Sequence, residues 1–559
     1  MYSDKIAVAQ IIEIIKAKGI RDVIISPGSR NAPFTIGFTK DTYFNCRSIV
    51  DERSAAFFAM GRALKTGMPV IVLCTSGSAI LNYFPAVAEA FYQEIPLLVI
   101  SADRPKSWMD QGNGQTIRQD NTLSSHCVKS LSVDGDAQSK EDLWYMQREL
   151  NFALNRLLEM PYGPVHLNVH LNEPLYGQVT KKHTPPKVIT KVLPELSVPG
   201  SIKDQFVNKW NNSPKKLILL GQGIPDDQLN ELIGQLAEDD SVVVFSESLS
   251  NIHHKRFFSC IDKLILLKEK DLALLKPTIL VTIGGAIVSK KIKELLRTWE
   301  IEEHWNIGHK QVQQDTYQKL THEIPFSPVV FFKQLVSEII IQKSDYYSHF
   351  ETIRVRKEVL HLEYINKCDY SDLTVFSSLF KNINKGTIIH LSNSSIVRYA
   401  QLFDHGDKYI FHANRGTSGI DGSGSTAIGY SSASIHQNIL ITGDISFFYD
   451  SNALWNNEVL DHFKIIVVNN AGGGIFRIIP GPETSGALES YFETAHDLNA
   501  KSLAEMHNYE YSSAAKLEDL NNNLQDFLNK PGKAIFEIFT PKENNDKALK
   551  GLFSSLKAY

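Results

Sequence analysis

Residues 443–476 read GDISFFYDSNALWNNEVLDHFKIIVVNNAGGGIF. An apolar run, NILIT, leads into Gly443-Asp444, a segment of helical pattern follows, and a second apolar run, KIIVV, delivers Asn469-Asn470 and three glycines. Strands that alternate with a helix pair in parallel, so both polar ends fall at one edge of a sheet, the edge where such sheets bind ligands. The Asp444 carboxylate and the Asn470 amide oxygen then face one point. Hard oxygen donors of this kind suit magnesium, which takes few protein ligands and completes its octahedron with water and phosphate oxygens. Gly472 lets the main chain come close and offers a backbone carbonyl. Asp and Asn after strands are also common turn formers, and their joint placement is what favours the ligand reading. A second pair, Asn456-Asn457, lies in SNALWNNEVL, which reads as helix and follows no strand.

The same alternation extends over the chain. RDVIISPG, FNCRSIVDE, PVIVLC, IPLLVISAD and PVHLNV read as strands of a doubly wound α/β unit over residues 1–178. Their polar exits bring Ser29, Arg30, Glu52 and Arg104 to one edge. QVTKKHTPPKVITKVLPELSVPGS reads as a linker. KKLILLGQG, DSVVVFSES, PTILVTIGG and IEEHWNIG mark a second unit over 200–343, in which Lys290 follows a strand and a glycine pair. GTIIHLSN, KYIFHAN, NILITGD, FKIIVVNN and KAIFEIFT mark a third over 350–559. The expected fold is α/β, with three doubly wound parallel-sheet domains.

With 559 residues and 43% hydrophobic content the chain can bury several cores. Its 58 basic and 62 acidic residues leave a net charge of -4, without the electrostatic footprint of a nucleic-acid binder. Five widely spaced cysteines form no disulfide framework, and no apolar run reaches membrane-spanning length. These features point to a cytoplasmic protein with neither nucleic-acid nor membrane partners.

GD, a spacer, then NN resembles the fingerprint of thiamine-diphosphate enzymes that decarboxylate 2-oxo acids. The resemblance implies a metal held by Asp444, Asn470 and Gly472, with Mg2+ as the ion and Mn2+ as a substitute. Ile445 replaces the last glycine of the usual Gly-Asp-Gly. The first domain would hold the cofactor's pyrimidine, the last its diphosphate, and the middle one would be structural. Glu52, in DERSAAFFAMG, matches the glutamate that bonds the pyrimidine ring nitrogen and activates the cofactor. The alternative for Asp51 and Glu52 is a favourable place at a helix N-terminus.

SPGSRNAP, DERSAAFFAMG, SADRP with GNGQTIRQ, SNSSIVR, ANRGTSGIDG and VVNNAGGGIF together resemble, over the whole chain, the 2-succinyl-5-enolpyruvyl-6-hydroxy-3-cyclohexene-1-carboxylate synthases of menaquinone biosynthesis. That family joins 2-oxoglutarate, after decarboxylation, to isochorismate. The resemblance implies catalytic roles for Glu52, Arg30, Ser394, Arg398 and Arg415, and substrate contacts from Ser29, Arg104, Gln115 and Lys290. It also implies cofactor contacts from Ser394, Ile420, Ile475 and Phe476, and a homo-oligomer, dimer or tetramer. Both substrates are dicarboxylates, and arginine suits bidentate carboxylate recognition. Ser394 and Arg398, four apart, share one face of a helix. Gly114 and Ala471 stand where the family often has Asn. None of the ligand-edge phrases SPGSR, DERS, GNGQT, SNSSIVR, NRGTSGIDG or NNAGGGIF contains a histidine, the usual proton donor near neutral pH, and His390 and His412, within strands, are expected to be core residues or to support the site from behind.

Three alternatives remain at this stage. One is another thiamine-diphosphate carboligase. A second is an NAD-dependent oxidoreductase, since Gly422 to Ala427 fits G-x-G-x-x-A and Asp444 follows about twenty residues on. A third is a non-catalytic binding protein, against which the intact Glu52, Asp444 and Asn470 argue.

Overall fold

The computed structural model describes residues 2–180, 183–194, 197–458, 460–479 and 481–557. Three six-stranded sheets, parallel throughout, form the framework. The first contains β2 (Asp22–Ile25), β3 (Asn45–Ser48), β4 (Val70–Cys74), β5 (Leu97–Asp103), β6 (Lys129–Asp134) and β7 (Val165–His170) in the order β3-β2-β4-β5-β7-β6. The second contains β9 (Lys216–Leu220), β10 (Val242–Ser246), β11 (Phe257–Phe258), β12 (Ile279–Ile283), β13 (Glu303–Ile307) and β14 (His322–Ile324) in the order β11-β10-β9-β12-β13-β14. The third contains β15 (Ile388–Leu391), β16 (Ile410–Ala413), β17 (Asn438–Gly443), β18 (Phe463–Asn469), β19 (Glu510–Ala514) and β20 (Ala534–Phe539) in the order β16-β15-β17-β18-β20-β19. The first and third sheets therefore share one winding, and the middle sheet has another. Central strands such as VIVLC and FKIIVVN are buried along their whole length, as sheets covered on both faces require.

β6, β11, β14 and β19 are absent from the strands expected from sequence. Each lies at a sheet margin, and KSLSVD and EYSSA each have only one fully buried residue. β6 and β19 bury little, so their apolar signature is weak, and β11 and β14 are only two and three residues long.

The residues group into two compact units: Met1–Pro194 with Asn414–Ile435 and Tyr449–Leu460, and Glu195–Ala413 with His436–Phe448 and Asp461–Tyr559. Within the first unit the helix Glu52–Thr66 packs closely on the helix Ser423–Ser431. A Cβ at Gly61 would lie 2.0 Å from Thr426 O, and one at Gly429 would lie 2.0 Å from Phe58 O. Those two glycines are required by backbone contact.

The stretch read as a linker begins as a strand. β8 (Gln178–Val179) pairs antiparallel with β1 (Tyr2–Ser3). Beyond it, Asn151 Nδ2 donates to Lys187 O at 2.9 Å and Asn155 Nδ2 to Ile189 O at 3.1 Å. The segment is strapped along the helix Lys140–Leu157 by side-chain amides. Its Lys181, Lys182, Glu195 and Leu196 lie outside the described residues. No helix among the described residues is long and apolar enough to cross a membrane.

Candidate active site

In the first unit the sheet order reverses between β2 and β4; Ser29 and Arg30 lie in the loop after β2, and Arg104 follows β5. Arg30 donates its backbone N–H to Thr75 Oγ1 across that point, at 3.2 Å. Its guanidinium is buried: Nη1 donates to Leu171 O at 3.0 Å and Nη2 to Glu173 Oε1 at 3.2 Å. Arg104 Nη1 stands 3.9 Å from the same Glu173 oxygen. Burial and the Arg104 charge lower the pKa of Arg30, and Glu173 opposes them. Two guanidinium groups thus converge on one carboxylate, which is the arrangement a carboxylate-binding pair needs.

Arg104 is itself held from behind. Asp103 Oδ1 accepts the Arg104 backbone N–H at 2.7 Å, and His170 Nδ1 lies 2.7 Å from Arg104 O. Asp103, Asp120 and His170 gather their ligating atoms within 4.8 Å of one another. Asn168 Nδ2 donates to both carboxylates, at 2.8 and 3.0 Å, so the cluster is internally bonded. Burial raises the pKa of Asp103, while Asn168 and His170 pull it down. Ser29 is exposed in its turn. Gln115 is exposed too, with φ +53°, and its backbone lies against Gly77, whose N–H donates to Gln119 Oε1 at 2.8 Å.

Glu52 is the first residue of its helix. The cap belongs to Asp51, whose Oδ1 accepts the Ser54 N–H at 3.1 Å, and the helix closes at Gly67 in the left-handed region. The capping role is therefore filled by Asp51. Burial raises the pKa of both Cys74 and Tyr83, and the Glu52 charge adds to each shift.

Arg415 and Ile420 lie in the loop 414–422 of the same unit. The buried Glu89 carboxylate anchors it, accepting N–H bonds from Gly416 and Thr417, both at 2.6 Å. Arg415 is buried beside that anchor and Ile420 is half-buried. The dinucleotide reading fails at the end of this loop. At the start of the helix Ser423–Ser431, Asp450 accepts both the Ser425 N–H, at 2.8 Å, and its hydroxyl, at 2.9 Å. A resident carboxylate occupies the helix terminus that a pyrophosphate would need, and Gly422 instead serves contact with the Phe57 ring.

In the second unit the order of the third sheet reverses between β15 and β17, and the loops after these strands are joined by a Gly443 N–H bond to Ser392 Oγ at 3.2 Å. Ser394 follows β15 with φ +70°, a strained conformation of the kind found where function constrains the chain. Arg398 Nη1 donates to Ser394 O at 2.6 Å, but Ser394 precedes the helix Ser395–Ala400, so the two meet through a backbone carbonyl and not as side chains on one helical face. Burial lowers the pKa of Arg398, and Asp262 opposes it. Asp262 also accepts the hydroxyl of Ser289, the cap of the helix that Lys290 opens. Lys290 is exposed.

Asp444 is 3% exposed. Its Oδ1 accepts the Ile445 N–H at 2.7 Å and its Oδ2 the Gly472 N–H at 2.9 Å. Burial raises its pKa, opposed by these N–H bonds and by His496, whose Nε2 is 3.3 Å from Oδ2. The two asparagines have separate tasks. Asn469 is structural: its Nδ2 donates to the buried Glu537 at 2.8 Å and its Oδ1 accepts the Ala471 N–H at 3.0 Å. Asn470 donates Nδ2 to Asp372 Oδ2 at 3.2 Å, and its Oδ1 is buried with no hydrogen-bond partner. A buried amide oxygen left unbonded is costly, and a cation beside Asp444 would satisfy it. The residues present fit a divalent metal. Gly472 has φ +149°, and a Cβ there would lie 2.7 Å from Glu493 O. Ile475 and Phe476 follow, half-buried, with Phe476 packed on Phe492 at 5.5 Å between ring centroids.

The histidine expectation needs correction. His390 and His412 are indeed buried core residues, 3% and 5% exposed. His496 and His170, however, lie against Asp444 and Arg104. Neither belongs to a glycine-rich phrase; the fold brings each in from elsewhere in the chain. Asp372, Glu173 and Glu89 were missed for the same reason.

Residues 7–123 match the family described as Thiamine pyrophosphate enzyme, N-terminal TPP binding domain, and residues 394–538 match its C-terminal TPP binding domain. Full-length relatives carry the name 2-succinyl-5-enolpyruvyl-6-hydroxy-3-cyclohexene-1-carboxylate synthase. The protein from Flavobacterium johnsoniae is 45% identical and that from Flavobacterium psychrophilum 44%, each with all of both chains covered. The protein from Porphyromonas gingivalis is 36% identical over 99% of this chain and 97% of its own. With its reversal-point loops, its unbonded Asn470 oxygen and this end-to-end similarity, the chain belongs to the 2-succinyl-5-enolpyruvyl-6-hydroxy-3-cyclohexene-1-carboxylate synthase family of thiamine-diphosphate enzymes.

Proposed function

We propose that this chain is a thiamine-diphosphate- and magnesium-dependent transferase, a carboligase that decarboxylates 2-oxoglutarate and adds the succinyl unit to isochorismate in menaquinone biosynthesis. The observation that carries the reading beyond the fold is the convergence of Arg30 and Arg104 on one carboxylate oxygen. Both substrates present carboxylates, and a guanidinium pair selects them by charge and by geometry.

Bound thiamine diphosphate supplies the electron sink that lets a 2-oxo acid lose carbon dioxide and react as a nucleophile. Asp444, Asn470 Oδ1 and the Gly472 carbonyl are the ligands of Mg2+, with Mn2+ as a substitute. Glu52 holds a proton at its carboxyl for the cofactor's pyrimidine. Ser394, Ile420, Ile475 and Phe476 line the cofactor's place. Arg30, Arg104, Arg398 and Arg415 divide the substrate carboxylates among them, with Ser29, Gln115 and Lys290 as further contacts. In this reading residues 1–178, 200–343 and 350–559 are the pyrimidine-binding, central and diphosphate-binding domains. The protein works in the cytoplasm as a homodimer or homotetramer.

The test is to supply 2-oxoglutarate, isochorismate, thiamine diphosphate and Mg2+ and to look for the adduct by mass spectrometry. Absence of the adduct, with turnover of 2-oxoglutarate onto another acceptor, would replace this reading by that of a different carboligase of the same superfamily. Light scattering on the eluted protein decides between dimer and tetramer.

A further inference from the structure

Asn470 is the one side-chain amide of the metal set, and an amide can present either its oxygen or its nitrogen. Only the oxygen can hold a hard cation. What faces the other end of the amide therefore decides whether the site works. Here that neighbour is Asp372, 98 residues away in sequence, whose Oδ2 accepts from Asn470 Nδ2 at 3.2 Å. Both carboxylate oxygens act here as acceptors, Oδ1 from the Thr540 hydroxyl and Oδ2 from the amide, so the end that faces Asp372 is the NH2.

Asp372 is held for this task on every side. It opens the helix Asp372–Asn382, behind a capping box formed by Ser371 and Thr374. Its Oδ1 accepts the Thr540 hydroxyl at 2.7 Å, and its backbone N–H donates to Asn545 Oδ1 at 2.8 Å. Asn545 Nδ2 in turn donates to Thr540 Oγ1 at 3.2 Å. The carboxylate is 2% exposed, and one oxygen is committed to Thr540 and the other to Asn470.

We propose that Asp372 is a positioning residue of the metal site: it binds the Nδ2 end of the Asn470 amide and so commits Oδ1 to the cation. The inference rests on the metal ligands proposed above. Residues that orient metal ligands from outside typically change metal affinity 10- to 100-fold when removed.

The test measures retained thiamine diphosphate by equilibrium dialysis against increasing Mg2+, with thermal unfolding recorded in parallel. Asp372→Ala is expected to raise the half-saturating Mg2+ concentration roughly 10- to 100-fold. Asn545→Ala, which removes the backbone support but leaves the carboxylate facing Asn470, is expected to lower thermal stability and keep the Mg2+ requirement within about threefold of wild type. A requirement for Asp372→Ala equally close to wild type would reduce Asp372 to a structural residue and overturn the proposal. Should Asp372→Ala fail to fold, a crystal structure of the wild-type protein with Mg2+ and thiamine diphosphate decides. Asn470 Oδ1 on the metal with Nδ2 on Asp372 supports it, and an Asn470 amide not bonded to Asp372 refutes it. Full Mg2+-dependent retention in Asp444→Ala would instead defeat the metal reading itself, whatever happens at Asp372.

Discussion

Gly472 donates its backbone N–H to Asp444 Oδ2 at 2.9 Å, linking the loops that leave the adjacent strands β17 and β18. Before any cation enters, the carboxylate is already oriented, and ordering it adds no further entropic cost on binding.

Asp444→Ala should therefore abolish Mg2+-dependent retention of thiamine diphosphate while the far-ultraviolet circular dichroism stays that of the wild type. Gly472→Ala should weaken retention as well, because its Cβ would press on Glu493 O at 2.7 Å and φ +149° is closed to alanine. Undiminished retention in Asp444→Ala would remove Asp444 from the ligand set.

Glu52→Gln separates two explanations for one residue. Because Asp51 supplies the cap, the change should cost at most about 1 kcal/mol of stability through the helix dipole. Cofactor affinity should stay near normal while kcat falls by roughly 10²- to 10⁴-fold, the usual size of a general acid–base contribution. A fully active variant would leave Glu52 only its place on the helix.

Arg104→Ala removes one partner of a charge-assisted pair worth about 1.5 to 3 kcal/mol. At about 1.4 kcal/mol per decade, KM for the carboxylate substrate that it holds should rise by one to two orders of magnitude. Glu173→Gln should act in the opposite sense. It removes the carboxylate shared by Arg30 and Arg104, so succinate, tested as an inhibitor, should bind more tightly. An unchanged inhibition constant would mean that Glu173 does not compete for the pair.

Asp450 gives a stability test in the first unit. Burial raises its pKa from 3.8 to about 6, opposed by the Ser425 bonds. Between those values the folded protein holds a proton that the unfolded chain has lost, so this group's contribution is present below pH 3.8 and is lost as pH rises to about 6. Asp450→Asn cannot ionise and can still accept the Ser425 N–H. The melting temperature of the variant minus that of wild type should therefore increase as pH goes from about 5 to about 7. A flat difference would show that Asp450 is ionised in the fold throughout that range.

Much of the protein was legible locally. GD and NN sit at the ends of apolar runs long enough to be strands, and burial on both sheet faces wrote those runs in continuous Ile, Val and Leu. The alternation of strand and helix then carried the parallel sheets, and with them the edge of the first sheet on which Arg30 lies and the edge of the third on which Asp444 and Asn470 lie. The margin strands β6 and β19 escaped because they bury little, and β11 and β14 because two or three residues are too few to carry a pattern.

Other features were decided only when the chain closed on itself. Glu173 reaches Arg30 across 143 residues, Asp372 reaches Asn470 across 98, and Asp450 fills a helix terminus that by spacing alone suited a dinucleotide. A carboxylate or imidazole carries no periodicity of its own, so nothing in its neighbourhood announces a distant partner. Sequence determined which residues have ligand chemistry, because that is set by the side chain and the strand that delivers it. Tertiary structure decided which end of an amide faces the cation and which arginines share an anion, because hydrogen bonds depend on distances and angles that exist only after packing.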